Sequence, residues 1–201
     1  MKKLSENYKV LKFGFFSDQD PSDMLFQHEI CWSRIYEYPF VLQEIKSAGL
    51  ENPKIHNCAW GSKDIHIVFK TCLDVAYKDV YHSDITPSTF LNTNIWDITK
   101  APRDSLLNYF DIILNISTLE HVHEDHRDVL ENHLVQLNKN GLFIATFDLP
   151  GLQLENMQDY LGQKIKDCES RLNPINSKVT GNALRLPSDY HAGYLVIKRC
   201  S

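Results

Sequence analysis

The chain has 201 residues, 43% hydrophobic and 23% charged, with 8 Gly, 8 Pro and a formal net charge of -5. That length suits one domain with a sizeable apolar core, and the composition excludes a disordered, fibrous or collagen-like protein. The acidic balance, with no basic run beyond Lys2-Lys3, offers no pull toward a phosphate backbone, so nucleic acid is not an expected partner.

MKKLSENYKV carries the two lysines of a secretory signal without its apolar stretch, and no segment approaches a membrane-spanning length. The five cysteines, Cys31, Cys58, Cys72, Cys168 and Cys200, are odd in number and lack C-x-x-C spacing. Reduced thiols in a cytoplasmic protein are expected.

Residues 1–27 show no sustained period around Phe13, Phe15 and Phe16 and read as an irregular arm; residues 1–30 are assigned as an arm or lid and 31–201 as the core of one domain. Between Glu29 and Ala48, Ile30, Ile35, Tyr38, Val41, Leu42 and Ile45 recur at helical spacing, with Pro39 predicting two short helices or one broken one. KIHNCAW follows as a short strand into Gly61, with a helix start at Ser62. DVYHSDI (79–85) is the next strand, NTNIWDITKAP a turn with a short strand, and FDIILNIS (110–117) an apolar strand of the kind buried on both faces.

Val129, Leu130, Leu134 and Leu137 share a helical face between Glu124 and Leu137, with Asn140-Gly141 read as the C-cap. GLFIATFDLPG is a strand stopped by Pro150-Gly151, residues 152–172 return to helical composition, 173–189 are turn-rich, and AGYLVIKR (192–199) is a last strand. The alternation from 54 to 151 predicts an α/β, doubly wound, mostly parallel sheet with helices on both faces.

Such sheets bind ligands at the carboxyl ends of their strands, so the residues closing each strand matter most. The first ending, IHNCAWGSK, is a tight turn with one glycine, Gly61. The second puts Asp84 at a strand tip, where a carboxylate accepts both hydroxyls of a ribose or, equally, caps the following turn. The third offers Asp97 to an exocyclic amine, with Trp96 and Ile98 to sandwich a flat ring or simply to pack the core.

The fourth ending, NISTLEHVHEDH, holds Glu120, His121, His123 and His126. H-x-H-x-x-H is not a standard zinc spacing and no metal is expected; His121 or His123 is suited to proton transfer because imidazole titrates near neutrality, or else to a surface or capping role.

Taken in order, these endings resemble a class I S-adenosylmethionine-dependent methyltransferase across about residues 32–151, most closely in FDIILNISTLEHV, in NKNGLFIATFDLPG and in EYPFVLQEI. The resemblance implies a Rossmann-like sheet of about seven strands whose final strand is antiparallel, and S-adenosyl-L-methionine as cofactor. It places Asn57, Ala59, Trp60 and Gly61 at the cofactor loop, Asp84 with Ile85 at the ribose, Trp96, Asp97 and Ile98 at the adenine, and Asn115, Ile116 and Ser117 beneath the methionine part. His121 is its candidate general base, and Arg34, Tyr36 and Tyr38 fall near the cofactor carboxylate or over the acceptor pocket.

The loop departs from the pattern, with Asn57 in the usual acidic position and Ala59 and Lys63 where glycines commonly stand. The expected activity is methyl transfer to an oxygen or nitrogen of a small molecule or saccharide. The degenerate loop keeps a second reading in play, a binding or regulatory protein on the same fold. A nicotinamide oxidoreductase is disfavoured because the G-x-G-x-x-G turn is missing.

Overall fold

The computed structural model describes residues 3–17, 19–27, 33–61, 66–88, 92–165 and 191–201. Seven strands, β1 (Tyr8–Phe15), β2 (Lys54–Cys58), β3 (Asp79–Asp84), β4 (Thr93–Ile95), β5 (Phe110–Ile116), β6 (Leu137–Leu149) and β7 (His191–Arg199), form one sheet in the order β1-β7-β6-β5-β2-β3-β4. β2 runs parallel to β3 and β5, β3 to β4 and β5 to β6, while β7 lies antiparallel between β6 and β1. Six strands thus point one way and only β7 opposes them, as a doubly wound sheet with an antiparallel final strand requires.

Helices cover both faces. On one side α1 (Arg34–Ser47) and α2 (Ile67–Ala76) set Tyr38, Val41, Ile45, Phe69 and Leu73 on Ile55, Ile112, Leu114, Ile144 and Val196. On the other, α3 (His126–Leu134) and α4 (Leu154–Leu161) set Val129, Leu130, Leu134, Met157 and Leu161 on Ile113, Phe143, Ala145, Phe147, Leu195 and Ile197. Alternate residues of each strand feed the two cores, which is why β5 reads as an unbroken apolar run. Among the described residues no helix is long and apolar enough to cross a membrane.

Three elements differ from the sequence expectation. Residues 8–15, read as an irregular arm, are the edge strand β1; its register shifts between Val10 and Lys12, putting Leu11 and Lys12 both outward and breaking the period-two pattern. The α1 segment is one helix through Pro39, not two. Pro39 cannot donate to the carbonyl of Ile35, and that carbonyl instead accepts the N–H of Asp23 at 2.8 Å, so the polar group the proline strands is satisfied from outside the helix.

Asn140-Gly141 is not a C-cap either. α3 ends at Leu134, Leu137 already pairs with Phe110, and Asn140 (φ 65°) lies within β6 at its register shift. A Cβ on Gly141 would meet the Asp111 and Phe110 carbonyls at 3.0 and 3.1 Å, so glycine is needed for close backbone approach. α2 is described from Ile67, and the expected helix start at Ser62 lies outside the described residues, as does the turn-rich 173–189.

Candidate functional site

The chain leaves β2 toward β3 and β5 toward β6, in opposite directions from neighbouring strands whose register pairs Cys58 with Asn115. A crevice opens at such a switch point. Both strands enter it through non-glycine residues in the left-handed region, Ala59 (φ 48°) and Ser117 (φ 42°). Each costs about 1–2 kcal/mol and persists only where its surroundings hold it. Ser117 N–H donates to the Thr146 carbonyl and hydroxyl at 3.0 and 3.2 Å, and the Thr118 hydroxyl donates to the carbonyls of Ile116 and Ala59 at 3.0 and 3.4 Å, tying the two turns together.

Next in the row, Asp84 closes β3. Its Oδ2 accepts the Gly61 N–H at 2.9 Å, and its Oδ1 accepts the Thr86 N–H and hydroxyl at 2.9 and 2.8 Å. A carboxylate has about four acceptor positions, and three are used here. Asp84 is therefore a turn cap that retains one position for a hydroxyl, beside the exposed Ile85. Gly61 (φ 87°) is required by a side chain: a Cβ there would lie 2.4 Å from the His66 ring. Trp60 is buried, its Nε1 donating to the Thr93 hydroxyl at 3.2 Å and its ring 6.3 Å from that of His82.

Beyond β4, Asp97 Oδ1 accepts the Thr99 N–H and hydroxyl at 2.9 and 2.8 Å. Partial burial pushes its carboxyl up, but the Thr99 hydrogen bonds outweigh this and hold it below the usual range. Trp96 and Ile98 both pack into the α3-side core. Trp96 packs 5.5 Å from the His56 ring and 5.4 Å from that of His133, and Ile98 is buried in the same α3-side core.

One residue below these ends runs a buried polar layer. Asn57 Nδ2 donates to His82 Nδ1 at 3.2 Å, and His82 Nε2 donates to Asp74 at 2.7 Å, which also takes Lys70 at 2.7 Å. His56 lies between the Gln136 side-chain oxygen (3.0 Å) and the Ser83 hydroxyl (2.7 Å), and Asn115 Nδ2 donates to His133 Nε2 at 3.2 Å. The amides of Asn57 and Asn115 are thus turned to histidines in the core, and only their backbones reach the edge. Burial, with His133 adding to it, pushes His56 down to about 3, and burial pushes His133 down to about 4. Both are neutral imidazoles.

At the other end of the row, the start of α1 meets the end of β5. Glu37, fully buried, accepts the Ser117 hydroxyl at 2.5 Å and the Ser33 hydroxyl at 3.2 Å and pairs with the Arg34 guanidinium, whose Nη1 also donates to Ser117 Oγ at 2.7 Å. Arg34 is therefore in the site. Tyr36 is a core residue, and Tyr38 stacks on Phe69 at 4.1 Å with its hydroxyl 3.0 Å from His66 Nδ1. The spacing of EYPFVLQEI gave no sign of Glu37, because its partner is 80 residues away.

The turn Leu119–His121 follows Ser117. His121 is exposed, and partial burial with the nearby Arg34 charge holds its imidazole below the ordinary value, leaving it neutral and able to take a proton. His126 is structural, its Nε2 donating to the Val122 carbonyl at 3.2 Å and its Nδ1 accepting the Gln153 N–H at 3.1 Å. Among the described residues no three His, Cys, Asp or Glu side chains converge as a metal site.

No protein-family model matches the sequence, and no curated protein does. Solved structures do match. They include the (4+2)-cyclase SpnF, with TM-score 0.57 and 11% identity over 96% of this chain and 89% of that one. An S-adenosylmethionine-dependent methyltransferase from Clostridium acetobutylicum has TM-score 0.54 and 9% identity over 82% and 91%. The 1,6-didemethyltoxoflavin-N1-methyltransferase of Burkholderia thailandensis, crystallised with 1,6-didemethyltoxoflavin and S-adenosylhomocysteine, has TM-score 0.50 and 12% identity over 82% and 77%. The chain spans about half, 55%, of the length of the methyltransferase CalH. At these identities the likeness establishes the fold, that of class I methyltransferases.

Proposed function

We propose that the chain is a cytoplasmic S-adenosylmethionine-dependent methyltransferase acting on an oxygen or nitrogen of a small molecule or saccharide. The observation that carries this reading is the row of strand ends at the switch point, Ser117, Ala59, Asp84 and Asp97, with an acid positioned one strand out from the crevice. The cofactor supplies an electrophilic methyl group on a cationic sulfur.

The residues present fit it. Asp84 keeps an acceptor position for the ribose, and Asp97 Oδ2 faces no Thr99 donor and is available to an amine. The methionine end would lie near Ser117 and Glu120, with Arg34 held by Glu37 beside them and available to its carboxylate. Methyl transfer needs alignment of acceptor and methyl donor, plus a proton acceptor for a hydroxyl or ammonium substrate. His121, neutral beside Arg34, is one candidate.

Calorimetric titration with S-adenosylmethionine and S-adenosylhomocysteine tests the reading; no heat from either at high micromolar ligand would sink it. The same fold without catalysis is the second reading, favoured by the three chain donors already on Asp84. That SpnF is a cyclase shows that this fold does not fix the reaction. The second reading expects cofactor binding to be weak or absent while the protein is folded.

A further inference from the structure

We propose that Glu120, rather than the adjacent His121, is the proton acceptor of the transfer, its Oε2 taking the hydrogen of a hydroxyl or protonated-amine substrate. This rests on the methyltransferase reading above. Glu120 stands in the turn after β5, three residues beyond the left-handed Ser117 and across from the end of β6. Its Oε1 accepts the Asp148 N–H at 3.1 Å, which fixes the carboxyl between the two strand ends nearest the Arg34–Glu37–Ser117 cluster.

The turn after β6 presses on the same side chain: a Cβ on Gly151 would lie 2.9 Å from the Glu120 Cβ. Oε2 is buried and has no hydrogen-bond partner among the described residues. Leaving a buried carboxyl oxygen without a donor is costly, and a ligand's O–H or N–H removes that cost.

Burial, then the neighbouring Asp148 carboxyl and Glu37, raise the Glu120 carboxyl well above the ordinary range, with the Arg34 charge opposing them. A carboxylate raised in this way is a stronger base than an exposed one, which suits it to accepting a proton. His121, by contrast, is exposed. In the step, the substrate's proton passes to ionised Glu120 Oε2, before attack for an ammonium and during it for a hydroxyl. The lone pair so freed on nitrogen or oxygen forms a bond to the methyl carbon as the carbon–sulfur bond breaks, its electron pair staying on sulfur. Glu120 becomes a neutral acid and later loses the proton to water.

The test needs no known substrate. S-adenosylmethionine carries a sulfonium charge that S-adenosylhomocysteine lacks, so the ratio of their dissociation constants reports ionisation of a carboxyl close to the methyl; the amino and carboxyl groups common to both ligands cancel. As pH rises through the Glu120 ionisation the preference for the sulfonium should rise about fivefold, the scale of a unit-charge pair several ångströms apart in a partly solvated site. The rise should persist in His121→Asn and vanish in Glu120→Gln.

A rise that survives Glu120→Gln, or disappears in His121→Asn, overturns the proposal. Should Glu120→Gln not fold, the wild-type carboxylic C=O infrared band carries the test: it must be lost as pH rises and shift on adding S-adenosylmethionine more than on adding S-adenosylhomocysteine, and an unaltered band overturns the assignment. Failure of both ligands to bind the wild-type protein would instead remove the methyltransferase reading itself.

Discussion

Asp84 and Gly61 are joined by a 2.9 Å hydrogen bond from the glycine N–H to the aspartate Oδ2, which ties the loop leaving β2 to the tip of β3. One carboxylate thus shapes the loop and, in the methyltransferase reading, would also hold a ribose. Asp84→Ala is expected to weaken S-adenosylhomocysteine binding by about 1–3 kcal/mol, the scale for hydrogen bonds to a charged group, and to lower stability because the Gly61 and Thr86 donors lose their acceptor. Titration calorimetry alongside urea denaturation separates the two effects. A folded variant of unaltered affinity would show that the ribose is not held at Asp84.

The sheet and its switch point were legible because they depend on local pattern. Apolar runs of strand length, the stop at Pro150-Gly151, and the acids Asp84 and Asp97 after two of the strands located β2 to β7 without tertiary knowledge. What escaped depends on partners distant in sequence. Pro39 breaks the pattern of α1 but not the helix, since the Asp23 N–H takes the carbonyl it strands. The β1 bulge hides a strand, and Asn140-Gly141 mimics a cap because a left-handed asparagine serves a strand irregularity as well as a helix end. Glu37, His56, His82 and His133 carry no motif; they meet only when the strands align.

The left-handed Ala59 offers a direct measure of strain at the switch point. Relief of the Cβ clash by Ala59→Gly is worth about 1–2 kcal/mol, offset in part by the greater freedom of glycine in the unfolded chain, about 0.4–1 kcal/mol. A net gain of about 0.5–1 kcal/mol is expected, seen as a rise in Tm of about 1–4 °C. Loss of stability in this variant would show that the methyl group of Ala59 contributes packing that exceeds its strain.

Glu37 is the buried acid on which Ser33, Arg34 and Ser117 converge. Glu37→Ala leaves a largely buried guanidinium without that counter-charge and should cost about 3–5 kcal/mol. Glu37→Gln keeps an acceptor for the Ser117 hydroxyl and should cost less. Equilibrium denaturation of the two variants checks the order, and equal losses would mean that charge neutralisation of Arg34 is not what the carboxylate provides.

The polar layer under the site makes stability depend on acid. His56 and His133 are fully buried, with values near 3 and 4 in the fold against about 6.5 when unfolded. Above pH 6.5 both states hold them neutral and stability is at its full value. As pH falls below that, the unfolded chain binds protons that the folded one refuses, so stability drops by about 1.4 kcal/mol per pH unit for each histidine, until the folded values are reached near 4 and 3. Two such groups remove about 4 kcal/mol between pH 6.5 and 5. His82, also held below its ordinary value by burial against the opposing Asp74, adds to the loss. Urea titrations at pH 7.5, 6 and 5 should show this slope in the wild-type protein. His133→Gln should remove its own share, about 1.4 kcal/mol per unit, and a slope that this substitution leaves intact would place the acid sensitivity elsewhere.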